Sequence, residues 1–99
     1  YMLAMNTKGK LTGIFLISKG TVNMTCMNPR EVFIRALLIG ASGIILCHNH
    51  PSGDTEPSRQ DIEVTKAFNK SGRLLGIPLL DHIIVGGSDY YSFMQKGIL

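Results

Sequence analysis

Two imidazoles stand two residues apart in His48-Asn49-His50, and a carboxylate returns further along the chain at Asp61. The apolar run Ile44-Ile45-Leu46-Cys47 leads into the pair and predicts a strand. Side chains alternate between the faces of a strand, so His48 and His50 point to the same side. Pro51 to Glu56 is a Pro/Gly/Asp loop, and Pro57-Ser58-Arg59-Gln60-Asp61 reads as a helix start that brings Asp61 back towards the strand end. Two histidine nitrogens and one carboxylate oxygen, with a fourth position left for water, form the ligand set of a catalytic zinc. Each residue also has a plainer reading. Loop histidines can make local hydrogen bonds only. Ser58-x-x-Asp61 is a capping-box variant, and an acid in the first turn also favours the helix dipole. The two roles of Asp61 are compatible, because a carboxylate held rigidly by a cap suits a metal ligand.

The elements that must hold this set follow from the hydropathy pattern. Tyr1 to Asn6 and Leu11 to Ser18 predict the strands of a hairpin, with Gly9 suited to its turn. Thr21, Val22 and Met24 allow a short extended piece. Asn28 caps a helix with Pro29 at its first position and Glu31 at its third, and Gly40 ends it. Gly43 to His48 is apolar on both faces and is expected as a central, fully buried strand. Ser58 caps a second helix that runs to Leu75, with Val64, Ala67, Phe68, Ser71, Leu74 and Leu75 as its inward stripe. Gly76 and Pro78 stop it. Leu79 to Val85 predicts a strand, Asp89 to Phe93 a short last one, and Met94 to Leu99 the start of a tail helix. The alternation of strands and helices predicts one layered α/β domain over residues 1–99, without repeat or linker.

Composition narrows the class. Ninety-nine residues with 44% hydrophobic content suffice for one small core and exclude a disordered chain. The longest apolar runs, such as Ile14-Phe15-Leu16-Ile17, are strand-sized and too short to cross a membrane. Cys26 and Cys47 make no disulfide framework and suit a reducing cytoplasm. No signal peptide is visible, although a segment ahead of Tyr1 could carry one. A net charge of +3 without a Lys/Arg cluster reads as solubilising charge, and no DNA-reading motif is present. Cys47 should point away from His48, as a small buried hydrophobe. His82, after Asp81 inside a strand, reads as a core histidine bonded to backbone, with lining of the cleft as the alternative.

Written as His48-x-His50-x7-Ser58-x2-Asp61, the stretch resembles the JAMM motif of the JAB/MPN metallopeptidase family. The flanks resemble its bacterial, RadC-like branch: Asn28-Pro29-Arg30-Glu31-Val32, Pro51-Ser52-Gly53, Gly72-Arg73-Leu74-Leu75-Gly76 and Leu80-Asp81-His82-Ile83-Ile84. The likeness covers nearly the whole chain and is specific because order, spacing and flanks agree together. It implies a mixed β-sheet flanked by helices, of the cytidine-deaminase-like type. It implies Zn2+ held by His48, His50 and Asp61, and zinc-dependent hydrolysis of a peptide or isopeptide substrate. It also implies a catalytic part for Ser58, whose hydroxyl would stabilise an oxyanion; capping alone is the other reading. The family's general base is a glutamate just before the first strand. That position falls ahead of Tyr1, so the chain reads as a domain truncated at its N-terminus. Glu31 is better explained by capping and Glu56 as a solvated loop acid. The RadC family has carried a DNA-repair label. The alternative is therefore a non-catalytic, DNA-repair-associated or protein-binding module with a vestigial or structural zinc, in weak contact with DNA or a repair protein. The literal His-Asn-His tripeptide is not the ββα-metal nuclease motif, whose residues are spread along the chain. No membrane partner is expected, and the pattern fixes no oligomeric state.

Overall fold

One side chain pins the first hairpin. In the computed structural model, which describes residues 1–17 and 28–99, β1 (Met2–Met5) and β2 (Leu11–Phe15) are joined through Asn6. Its Oδ1 accepts from Lys8 N and Lys10 N, both at 2.9 Å, and Gly9 takes φ +74°, where a side chain would be strained. The extended piece around Thr21, and Cys26, lie outside the described residues. α1 (Pro29–Leu38) starts at Asn28, whose side chain accepts from Arg30 N at 3.0 Å. β3 (Gly43–Asn49), α2 (Arg59–Leu75), β4 (Leu79–Gly86) and β5 (Asp89–Ser92) follow.

The strands form one sheet in the order β2-β1-β3-β4-β5. β3 and β4 are parallel and joined through α2, whereas the other neighbours are antiparallel. The sheet is therefore mixed and carries two helices, as the resemblance implied. A parallel pair requires a crossover, and the crossover sets the end of β3 beside the start of α2, where open α/β sheets place their sites.

Register decides the core. Met2 lies opposite Leu46 and Ala4 opposite Ile44. These four pack with Val32, Phe33 and Ala36 of α1 and Phe68 of α2, and the rings of Phe33 and Phe68 are 5.9 Å apart. Burying Phe68 alone stabilises the fold by roughly 1.5–3 kcal/mol. Both helices thus share one face of the sheet. That corrects the expectation for β3. It is central, but Ile44 and Leu46 are fully buried while Ile45 and Cys47, on the uncovered face, are only half-buried.

The inward stripe of α2 is also rotated from the expected one. Asp61, Thr65, Phe68 and Gly72 are buried, whereas Leu74 is 80% exposed and Leu75 46%. Two polar residues and a glycine occupy the core-facing line, so hydropathy pointed to its neighbour. Gly72 is there because the chain doubles back over it: a Cβ would run into the Ile77 carbonyl. The tail is a series of turns rather than a helix, with Ile98 N donating to Phe93 O at 3.0 Å and Gly97 at φ +75°. Among the described residues no helix is long and apolar enough to cross a membrane.

Gly72→Ala should lower stability by about 1–3 kcal/mol, because the clash with backbone outweighs the better helix propensity of alanine. Leu74→Gln should change it by less than about 0.5 kcal/mol. Urea denaturation measures both, and the reverse order would contradict the rotated stripe.

Candidate metal centre

The β3–β4 ladder runs into the histidine pair, since His50 N donates to Val85 O at 2.9 Å. The rings of His48 and His50 therefore meet on one side, edge to face, with centroids 4.6 Å apart. The following loop turns at Gly53, whose N donates to His50 O at 3.0 Å. It presses against β4 at Gly86, where a Cβ would stand 2.7 Å from Gly53 O. α2 then opens with a complete capping box. Ser58 Oγ accepts from Asp61 N at 3.0 Å, and Asp61 Oδ2 accepts from Ser58 N at 2.8 Å. Ser58 is exposed, whereas Asp61 is only 3% exposed.

This brings the three proposed ligands together. His50 Nε2 is 3.2 Å from Asp61 Oδ2, His48 Nδ1 is 3.9 Å from Asp61 Oδ1, and the ligand atoms all lie within 4.8 Å of one another. Proton bookkeeping shows what the cluster lacks. His50 Nδ1 is 2.8 Å from Asp54 O, and a carbonyl can only accept, so Nδ1 carries the proton. A neutral His50 then turns the lone pair of Nε2 towards a carboxylate oxygen. Two acceptors at that distance repel unless a second proton or a cation lies between them. His48 Nδ1 is buried and has no hydrogen-bond partner among the described residues. Burial lowers the pKa of His48, opposed by Asp61 and aided by His50. A neutral imidazole facing a buried carboxylate is poised for a cation. The donor set therefore fits a divalent metal.

His82 is a core histidine, but not one bonded through backbone at its ring. Its side chain is fully buried, and Nδ1 is 2.6 Å from Thr65 Oγ1. It also lines the centre, stacking on His48 with centroids 5.7 Å apart and on Phe93 at 4.7 Å. Burial, with the neighbouring His48, lowers its pKa to about 4. Thr65 and Phe93 escaped sequence reading. Thr65 had one signal, its place a helical turn after Asp61 on the same side. Phe93 had none, because it arrives from the turn after β5. Glu31 and Glu56 are both exposed.

Residues 1–98 match the RadC-like JAB domain. The chain belongs to that family. It is 53% identical over 98 residues to a UPF0758 protein of Finegoldia magna, covering 99% of this chain and 44% of that one. It is 44% identical over 97 residues to a UPF0758 protein of Trichlorobacter lovleyi, covering 98% of this chain and 42% of the relative. A UPF0758 protein of Clostridium kluyveri is 46% identical over 98 residues, covering 99% of this chain and 43% of the relative. The chain thus spans less than half the length of these curated relatives. In this RadC-like JAB domain the histidine pair and Asp61 form the candidate metal site.

The pKa of His82 is about 4 in the folded chain against 6.5 in its absence, so the unfolded chain binds more protons between those values. Stability of the metal-free protein should be fully present above pH 6.5 and fall as pH drops towards 4. The loss should be on the order of 3 kcal/mol from this residue. Urea midpoints across that range should slope less steeply in His82→Phe; parallel slopes would contradict the assignment.

Proposed function

We propose that this domain is the metal-binding part of a zinc-dependent hydrolase of the JAMM type, acting on a peptide or isopeptide bond. The observation that carries the reading is the convergence of His48 Nδ1, His50 Nε2 and the Asp61 carboxylate at the end of β3. A bound zinc supplies a water of lowered pKa and a Lewis acid for the scissile carbonyl. His48, His50 and Asp61 would hold it. The Asp54 carbonyl keeps the proton of His50 on Nδ1 and so frees Nε2. Ser58 N anchors Asp61 Oδ2 at the buried base of the site.

Ser58 can serve two ends at once. Its Oγ accepts from Asp61 N, which uses an acceptor lone pair and leaves the hydroxyl proton free. The residue is exposed at the rim, so that proton is available to a substrate oxyanion. The general base that the JAMM resemblance assigns is a glutamate just before β1. Tyr1 N donates to Cys47 O at 2.8 Å and Cys47 N to Tyr1 O at 2.9 Å. Continued in the same antiparallel register, the residue preceding Tyr1 in a longer protein falls opposite His48. The register supports a base delivered from that segment.

A longer protein that includes the residues ahead of Tyr1 should bind zinc and cleave a peptide or isopeptide reporter. Activity should be lost on chelation and restored by zinc. His50→Ala and Asp61→Ala should abolish metal binding and hydrolysis together. Zinc binding without hydrolysis by the longer protein would replace the enzyme with a binding module.

In the active protein Ser58→Ala should cost about 0.5–2 kcal/mol of stability as a lost cap. It should also lower kcat by roughly 10²–10³ as a lost oxyanion donor. Ser58→Asp should restore stability but not rate, because a carboxylate repels the developing charge. Normal turnover by folded Ser58→Ala would leave Ser58 a cap only.

A further inference from the structure

The proposed hydrolysis makes no use of His82, although its imidazole is fully buried beside the centre. Thr65 Oγ1 lies 2.6 Å from Asp61 O, and a carbonyl only accepts, so the hydroxyl proton goes there. The same Oγ1 must then accept from His82 Nδ1, at 2.6 Å. This fixes the tautomer, with the proton on Nδ1 and a lone pair on Nε2. Nε2 is buried and has no hydrogen-bond partner among the described residues. Leaving a buried acceptor unpaired costs free energy. A phenylalanine would stack as well and bury no such atom. What the imidazole adds is the N–H that reaches Asp61 through Thr65.

Its other contact is with His48. His50 is oriented by the Asp54 carbonyl. His48 makes no such bond among the described residues; its ring is set between those of His50, edge to face, and His82, stacked. His82 is clamped in turn. Phe93 stacks on it within 8° of parallel, and Phe93 N donates to His82 O at 3.0 Å. Asp81 Oδ1 accepts from His82 N at 2.7 Å and from Met94 N at 3.0 Å, while Ser92 Oγ donates to Asp81 Oδ2 at 2.5 Å. The turn after β5 is thereby tied to β4 around this one ring.

We infer that His82 is a positioning residue for the metal centre, orienting the His48 ring by stacking and the Asp61 segment by hydrogen bonding through Thr65. The inference rests on the metal reading of His48, His50 and Asp61. Groups behind metal ligands tune affinity because they fix ligand direction and tautomer before the metal arrives. Here one side chain reaches two of the three ligands, so its loss should loosen both.

The test is the Zn2+ affinity of the chain, measured by competition with a chromophoric chelator, together with the ligand-field spectrum of the Co2+ form. His82→Phe keeps the stack and removes the N–H; His82→Asn keeps a donor and removes the stack; Thr65→Val removes the relay; Thr65→Ser retains it. The first three should each weaken zinc by about 10–100-fold and alter the Co2+ bands, and Thr65→Ser should stay near wild type. The double variant of His82→Phe and Thr65→Val should be no weaker than the poorer single one, since both break one relay. Affinities within about threefold of wild type in folded variants would overturn the inference. Equal losses in Thr65→Ser and Thr65→Val would overturn the relay as well, leaving packing alone. If His82→Phe does not fold, as judged by near-ultraviolet circular dichroism, the nearly isosteric Thr65 pair decides. A wild-type chain that binds no zinc overturns the metal reading itself, whereas tight binding kept by every variant overturns only the role of His82.

Discussion

A carboxylate taken out of water must have its charge answered, and Asp61 is that carboxylate. It is buried at the first turn of α2, where Ser58 N satisfies one oxygen and the imidazoles of His48 and His50 face the group. Ordinary hydrogen bonding leaves this arrangement incomplete. His50 spends its Nδ1 proton on Asp54 O, and His48 Nδ1 is buried without a partner. A divalent cation between them would engage His48 Nδ1 and the Asp61 carboxylate together. The cap, the loop and the histidine pair make sense together on that basis.

The scaffold answers the same requirement. The parallel pairing of β3 with β4 forces a crossover, and the crossover delivers the start of α2 to the end of β3. Close approaches then lock the parts together. Gly86 admits the loop after His50 against β4, and Gly72 admits the returning chain against α2. Behind the ligands, Thr65, His82 and Phe93 form a second layer whose own supports lie on β4 and the turn after β5. Preorganisation of this kind suits a site that must hold ligand atoms before a metal binds. The chain accounts for less than half the length of its curated relatives.

Much of this was legible along the chain, because the signals are local. The apolar run into His48-Asn49-His50, the Ser58 cap three residues before Asp61, the Asn28-Pro29 helix start and the Gly9 turn each depend on residues within a few positions of one another. So did the spacing that resembles the JAMM motif, and the family assignment agrees with it. The expected inward stripe of α2 failed for a reason tied to the site. Asp61 and Thr65 are turned inward to face His48, His50 and His82, and Gly72 by close packing, so polarity along that line misled. The tail failed because Gly97 adopts a left-handed backbone and the turns fold back to Ser92 and Phe93 instead of propagating a helix.

The sequence by itself determined which residues could bind a metal and on which elements they sit, since alternation along a strand and the geometry of a helix cap follow from covalent structure. Tertiary structure alone decided which face of the sheet is covered, leaving Ile45 and Cys47 only half-buried while Ile44 and Leu46 are sealed. It also decided that His82 would touch His48 and Thr65. That contact requires the register of β4 on β3, which sets His82 opposite Leu46 and Ile84 opposite His48. Register comes from the joint packing of α1, α2 and the sheet, a property of the folded whole that no short stretch of chain encodes.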